Sequence, residues 1–358
     1  MKQLYLYIVV VVLQLFTTHT LAQEASLIKN IRPANLSSAP QQLVALNNIV
    51  YFVANDGVHG NELWRSDGTN SGTYMVKDIN PGGSESFINN LMVMNGILYF
   101  AAFNKSNGGE LWRSDGTENG TKLVEDENVG SGGIDPTSLI NVNGTLYFIG
   151  NAIANKKIVY RSNGNSVEEV NSYTNTGYEI YDVVIGGFTS SKVFINITFG
   201  SSIDLDDEIQ AININTKQSE FIEGLYPPFQ LDFANIGDVY SFNNKYFYHI
   251  DSYVGGAVRF NDGNSSTTIS FERNGFETSN IPTPIRFTPF GNNLFIQYFT
   301  YDEQLGLYPG SSYYLLKPNS SKAQHIVSYE NTSPHLAINK NAVLYGILYF
   351  GLSDYIFR

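Results

Sequence analysis

Glu62-Leu63-Trp64-Arg65-Ser66-Asp67-Gly68-Thr69 recurs as Glu110-Leu111-Trp112-Arg113-Ser114-Asp115-Gly116-Thr117, 48 residues further on. A reduced form, Tyr160-Arg161-Ser162-Asn163-Gly164, follows at the same interval. Upstream of each copy stands an aromatic pair: Tyr51-Phe52, Tyr99-Phe100 and Tyr147-Phe148. A constant period of this size signifies supersecondary units that bury their apolar faces only against one another. The period therefore decides the architecture before any local reading does.

The Phe that closes each pair marks the second strand of a unit. It recurs at Phe52, Phe100, Phe148, Phe194, Phe247, Phe295 and Phe350, with spacings of 48, 48, 46, 53, 48 and 55. The second unit resolves into four short strands of period 2, roughly 90–94, 97–103, 110–114 and 122–125. Asn95-Gly96 joins its first two strands, as Asn143-Gly144 does in the third unit, and this dipeptide supplies the positive φ angles of a two-residue hairpin. Ser-Asp-Gly-Thr joins the third strand to the fourth. There Asp67 and Asp115 bond their own turn backbone, and Gly68 and Gly116 go left-handed.

Four antiparallel strands per unit, seven units and no helical pattern predict an all-β chain folded as a seven-bladed β-propeller. A β-solenoid is the alternative, but its coils are usually shorter and it needs end caps. Leu27 to Pro33 aligns with Met75 to Pro81, again 48 apart, so the N-terminal strand 26–33 reads as a lone fourth strand. Val343-Leu344, Ile347 to Phe350 and Tyr355 to Arg358 match strands one to three. The first strand is thus expected to complete the last blade and remove an edge that would otherwise pair with other chains. The blades fall near 40–80, 88–127, 136–172, 180–224, 236–273, 283–329 and 339–358.

Composition agrees. Charged residues are 15%, below the roughly 25% of ordinary domains, while aromatics reach 14% with 24 Tyr and 23 Phe. Lys2, the apolar run from Leu4 to Phe16 and the small residues before Ala22 read as an export signal over residues 1–22. Seven units of the common length fill the 336 residues that follow Ala22. The run is too short to span a bilayer comfortably and no later stretch approaches the length needed, so no membrane span is expected in the mature chain. Cysteine is absent, which removes disulfides, thiolate metal sites and Cys nucleophiles. The net charge of −12 makes nucleic acid an unfavourable partner.

The Glu-Leu-Trp-Arg-Ser-Asp-Gly-Thr units, followed by Val76-Lys77-Asp78-Ile79-Asn80-Pro81-Gly82, resemble the ELWxxDGT repeat of exported bacterial proteins. The likeness is close over residues 27–150 and architectural beyond about 170. It implies a secreted or cell-surface propeller and carries no catalytic motif with it.

Repeated side chains are expected to serve the fold. Trp64 and Trp112, with Tyr160 and Phe357 at equivalent places, read as wedges between blades rather than platforms for sugars. Arg65, Arg113, Arg161 and Arg358 read as local or inter-blade partners rather than a positive ring lining the channel. Eight Asn-x-Ser/Thr sequences read as turn composition.

Function is expected where the pattern fails. Two connections between second and third strands are long and divergent: Gly200 to Glu208, with Asp204, Asp206, Asp207 and Glu208, and Tyr301-Asp302-Glu303 through Tyr308 to Gly310. These eight residues are the candidate ligand-binding set. Closely spaced carboxylates suit Ca²⁺, although 204–208 lacks the Gly and distal Glu of a helical calcium loop, so no cofactor is expected. His59, His249, His325 and His335 form no metal or protease pattern, and no G-x-S-x-G, phosphate loop or dinucleotide fingerprint occurs. The sequence therefore points to a non-catalytic recognition scaffold for glycan or protein at one face. The alternative is a polysaccharide hydrolase or lyase using carboxylates in the channel.

Overall fold

The computed structural model describes residues 27–33, 36–125, 132–152, 156–174, 179–201, 204–224, 235–251, 257–273, 276–278, 285–302, 307–330, 341–344, 347–352 and 355–357. The expected export signal over residues 1–22, Glu303 and Arg358 lie outside them. Among the described residues every regular element is a β-strand.

The first unit is β1 (Gln41–Leu46), β2 (Ile49–Asn55), β3 (Asn61–Ser66) and β4 (Tyr74–Lys77). The second is β5 (Asn89–Met94), β6 (Ile97–Asn104), β7 (Gly108–Ser114) and β8 (Lys122–Leu123). Then come β9 (Thr137–Val142), β10 (Thr145–Ala152), β11 (Lys156–Ser162) and β12 (Val167–Thr174), and β13 (Glu179–Phe188), β14 (Lys192–Ser201), β15 (Asp204–Asn213) and β16 (Ser219–Gly224). The fifth unit is β17 (Asn235–Phe242), β18 (Lys245–Asp251), β19 (Ala257–Asn261) and β20 (Ser266–Thr268). A hairpin, β21 (Ser270–Arg273) and β22 (Phe276–Thr278), precedes β23 (Ile285–Phe290), β24 (Asn293–Asp302), β25 (Leu307–Leu316) and β26 (Lys322–Glu330). The chain's last strands are β27 (Asn341–Leu344), β28 (Ile347–Leu352) and β29 (Tyr355–Phe357).

Five of these sets are four-stranded antiparallel sheets in chain order. First strands touch in succession, β1 against β5, then β9, β13, β17 and β23, so they lie innermost and the sheets splay around them. This is a β-propeller arrangement. Strand alternation sends one set of side chains to the preceding sheet and the other to the next. Five apolar clusters follow, one in each gap between the first six sheets. Tyr51 and Leu63 meet Phe100 and Trp112, and Tyr99 and Leu111 meet Phe148 and Tyr160. Tyr147 and Val159 meet Val193 and Ile195, Phe194 and Ile209 meet Tyr246 and Tyr248, and Phe247 and Phe260 meet Leu294 and Tyr314.

The repeated octapeptide makes two devices. Within a unit, Ser66, Asp67, Thr69 and Thr73 wire the hairpin between third and fourth strands. Asp67 accepts from the Thr69 N–H at 2.9 Å and its hydroxyl at 2.7 Å, which holds its carboxyl below the usual range. Asp115 and Thr117 repeat both bonds. Between units, Arg65 donates to the Gly116 carbonyl at 3.3 Å, Arg113 to Gly164 at 2.7 Å and Arg161 to Ile214 at 3.5 Å. Tyr51 seats its hydroxyl over Gly116, whose φ is +90° and where an added Cβ would meet that oxygen at 2.1 Å. Tyr99 sits over Gly164 in the same way. At the inner turns, Asn95 donates to Gly144, Asn143 to Ser190 and Asn243 to Asn292.

Two units depart from the expected four antiparallel strands. In the sixth, β21 runs parallel to β26 and carries β22 outside it, giving six strands in the order β22-β21-β26-β25-β24-β23. The cause is burial: Ile269 and Phe271 enter the gap between fifth and sixth sheets, with Phe271 edge-on to Tyr314 at 5.0 Å. At the end, β27 to β29 form a three-stranded sheet. Leu27 to Pro33 has no ladder assignment, yet it lies against the first sheet as β4 lies against the second. Lys29 donates to Asn70 and Thr73 carbonyls at 3.4 and 2.5 Å; Lys77 donates to Glu118 and Thr121 at 3.4 and 3.0 Å.

Gly116→Ala is expected to destabilise by about 2 kcal/mol or more in chemical denaturation, through both the left-handed backbone and the Tyr51 contact. Gly68→Ala, at φ +89° with nothing within 4 Å, isolates the backbone part and should cost about 1 kcal/mol.

Candidate binding face

In every complete unit the hairpins joining strands one to two and three to four share one end. The connections between second and third strands, and the linkers between sheets, share the other. That second end is where the units differ. β2 stops three residues past Phe52 and β6 four past Phe100, but β14 runs seven past Phe194 and β24 seven past Phe295. Three or four extra residues raise these two hairpins by roughly 10 Å over their neighbours. β13 rises with them, pairing as far as Glu179 with Gly200.

The acidic stretches expected as loops are therefore ladder. Ser201 pairs with Asp204, Phe199 with Asp206, Thr198 with Asp207 and Ile197 with Glu208. The reason is the alternation that continues through Ile195, Ile197 and Phe199 on one strand and Leu205 and Ile209 on the other. Such alternation places positions 204, 206 and 208 on one face of the sheet and 207 on the other. Asp207 accepts from the Thr198 hydroxyl at 2.7 Å, and buried Glu208 accepts from Gln210 at 2.6 Å. Tyr301 and Asp302 belong to β24 and Tyr308 to β25, with Asp302 paired to Leu307. Among the described residues no group of three or more His, Asp or Glu could hold a metal ion. Trp112 is buried between the first two sheets and Trp64 between the first sheet and Ile31 of the N-terminal segment, and Arg65 and Arg113 bond the neighbouring sheet.

At the same end of the first unit, the Asp56 carboxylate receives the N–H groups of Val58 and His59 and meets His59 Nδ1 at 2.7 Å. These bonds hold Asp56 below, and His59 above, their ordinary ranges. Glu62, beneath them, is wholly buried. It accepts from the Ile79 N–H at 3.0 Å and from the Ser86 hydroxyl, so it fastens the linker to the second sheet. Burial pushes its carboxyl up to about 7. The sequence reading missed this role, although Glu62 shares strand parity with the buried Trp64.

The innermost strands carry a second repeated irregularity at this end. Gln42, Asn90 and Ser138 have φ of 54°, 56° and 53°, and the ladder skips a residue beside each. Ala39, Phe87 and Asp135, three residues earlier, are left-handed too, at 44°, 46° and 45°. Gln41, Gln42 and Thr137 are exposed and Asn89 and Asn90 half-buried, so amides and a hydroxyl stand at this end of the innermost strands.

No family model and no curated protein matches this chain. Among solved structures, a prolyl endopeptidase from a study of two such enzymes is similar over 88% of this chain and 46% of its own, at 10% identity and a TM-score of 0.50. The polysaccharide lyase Uly1 is similar over 92% and 89%, at 12% identity and 0.43. The β-propeller domain of the Trilobed protease from Pyrococcus furiosus is similar over 76% and 80%, at 8% identity and 0.42. This chain spans less than half the length of the endopeptidase, and likeness at such identity concerns the fold alone.

Because the folded carboxyl of Glu62 binds its proton more tightly than the unfolded one, stability from this group falls as pH rises from about 4.5 to about 7. Glu62→Gln still accepts from the Ile79 N–H through its amide oxygen, donates from its amide nitrogen to the Ser86 hydroxyl, and removes the titration. Denaturation at pH 5 and pH 8 should show the wild type losing up to about 3 kcal/mol relative to Glu62→Gln. A constant difference would contradict the assignment.

Proposed function

We propose that the chain is an exported, seven-bladed propeller, closed by its N-terminal segment, that serves as a non-catalytic scaffold recognising a glycan or protein. The observation that carries this reading is the pair of raised hairpins, β14–β15 and β24–β25. They break the repeat on one face and flank the fifth sheet. Meanwhile Trp112, Arg65 and Arg113 serve contacts between sheets, Trp64 packs against the N-terminal segment, and Asp67 and Asp115 serve their turns. Closure is supported by Lys29, whose bonds to the first sheet copy those of Lys77 to the second. The likeness of residues 27–150 to the ELWxxDGT repeat supports export and a surface location.

A second reading, a polysaccharide hydrolase or lyase, is favoured by one observation. The adjacent innermost strands β13 and β17 carry Asp182 and Asp238, and Asp182 is exposed. Two carboxyl groups from different blades are what acid–base work on a glycan requires.

Both readings are tested by passing the full chain over polysaccharide and protein panels while assaying reducing and unsaturated sugar ends. Recognition predicts retention without product. Replacing 199–206 and 300–310 each by Asn-Gly should abolish that retention while leaving unfolding cooperative. Product formation lost in Asp182→Asn would establish the enzyme instead.

A further inference from the structure

We propose that the mouth of the channel, over the first four sheets, is a subsite for a neutral polysaccharide chain; this rests on the recognition reading above. Two aromatic side chains there are unexplained by the fold. Phe87 holds the left-handed φ of 46° that Ala39 and Asp135 share at equivalent places, so the turn belongs to the repeat, but a large ring is costly in that conformation. Burial does not account for it: the ring is 63% exposed, with one edge contact to Phe103 at 6.0 Å. Tyr181 is the residue the β13 ladder skips, since Ile180 pairs with Phe199 and Asp182 with Thr198. It is 54% exposed on an innermost strand, in the stretch that rises with the β14–β15 hairpin.

Around the succession β1, β5, β9 and β13 lie Gln41, Asn89 and Thr137 at equivalent places in the repeat, Asn89 and Thr137 between the two aromatics and Gln41 beyond Phe87. Amides and hydroxyls both donate and accept, which is what a run of sugar hydroxyls requires. Flat aromatic faces suit the apolar faces of pyranose rings. Charge selects among glycans. The six contacting innermost strands hold Glu179, Asp182 and Asp238 against Arg286 alone, in a chain of net charge −12. An anionic polysaccharide is repelled there, and a neutral one is not.

The test is titration of the full chain with neutral β-glucan, xylan and mannan oligosaccharides and with uronate and sulfated oligosaccharides. The comparison set is Phe87→Ala, Tyr181→Ala, Gln41→Ala and the variant with 300–310 replaced by Asn-Gly. The proposal expects a neutral oligosaccharide to bind. Phe87→Ala and Tyr181→Ala should each weaken it about tenfold at unchanged melting temperature, with Gln41→Ala as a milder variant outside the strained backbone. The shortened hairpin should lose binding as well, as the recognition reading requires. Mouth variants that bind normally while the shortened hairpin does not would overturn the subsite and leave the recognition reading standing. Preference for the anionic sugars would overturn the proposed specificity. A wild type that binds no member of the panel or only protein overturns the subsite, and one that degrades the sugars overturns the recognition reading as well.

Discussion

A four-stranded sheet of this chain is apolar on both faces and cannot be stable alone; each sheet must be covered by the next. That constraint explains the most strongly repeated residues. Phe52, Phe100 and Phe148 pair across their sheets with Trp64, Trp112 and Tyr160. These pairs supply the burial. The Tyr51 and Arg65 contacts to Gly116 fix how far one sheet is rotated against its neighbour. Apolar burial is non-directional, whereas a guanidinium reaching one carbonyl and a phenol seated on one glycine are not. The octapeptide is a description of the interface between blades rather than of a ligand site.

Specialisation is confined to the opposite end for the same reason. The hairpins at the clasped end are committed to neighbouring sheets through Arg65, Arg113 and the asparagines of the inner turns. Connections at the far end carry fewer such obligations, so strands can lengthen there without disturbing the stack. β14 and β24 do so, and β13 follows. Glu62 shows what remains structural at that end: a buried carboxyl that holds the linker rather than solvent or ligand.

Much of this was legible in the residues. Asn95-Gly96 and Asn143-Gly144 announced turns that the structure places at φ of 52° and 76°, and 51° and 81°. The recurring Phe, from Phe52 to Phe350, fell on β2, β6, β10, β14, β18, β24 and β28. What could not be read were features decided by partners distant in sequence. Ile269 and Phe271 look like the end of a fourth strand, but their burial against Tyr314 draws the chain onto the following sheet. Asp204 to Glu208 look like a solvated loop by composition, yet the apolar alternation of 195–199 keeps the ladder going. Phe87 and Tyr181 carry no motif at all; exposure singles out both, with a left-handed angle at Phe87 and a skipped ladder position at Tyr181.

Closure of the ring is the claim on which the blade count and the shared face both depend. The chain has no cysteine, so a designed pair reports it cleanly. Trp64 pairs with Met75 in the first sheet, and Phe357 and Leu27 are their counterparts in the proposed last blade. Leu27→Cys combined with Phe357→Cys should oxidise to an intramolecular disulfide in the folded protein, seen as a faster-migrating monomer without reductant. Two free thiols after oxidation, or cross-linking only between molecules, would show that the termini do not meet and that the ring is open.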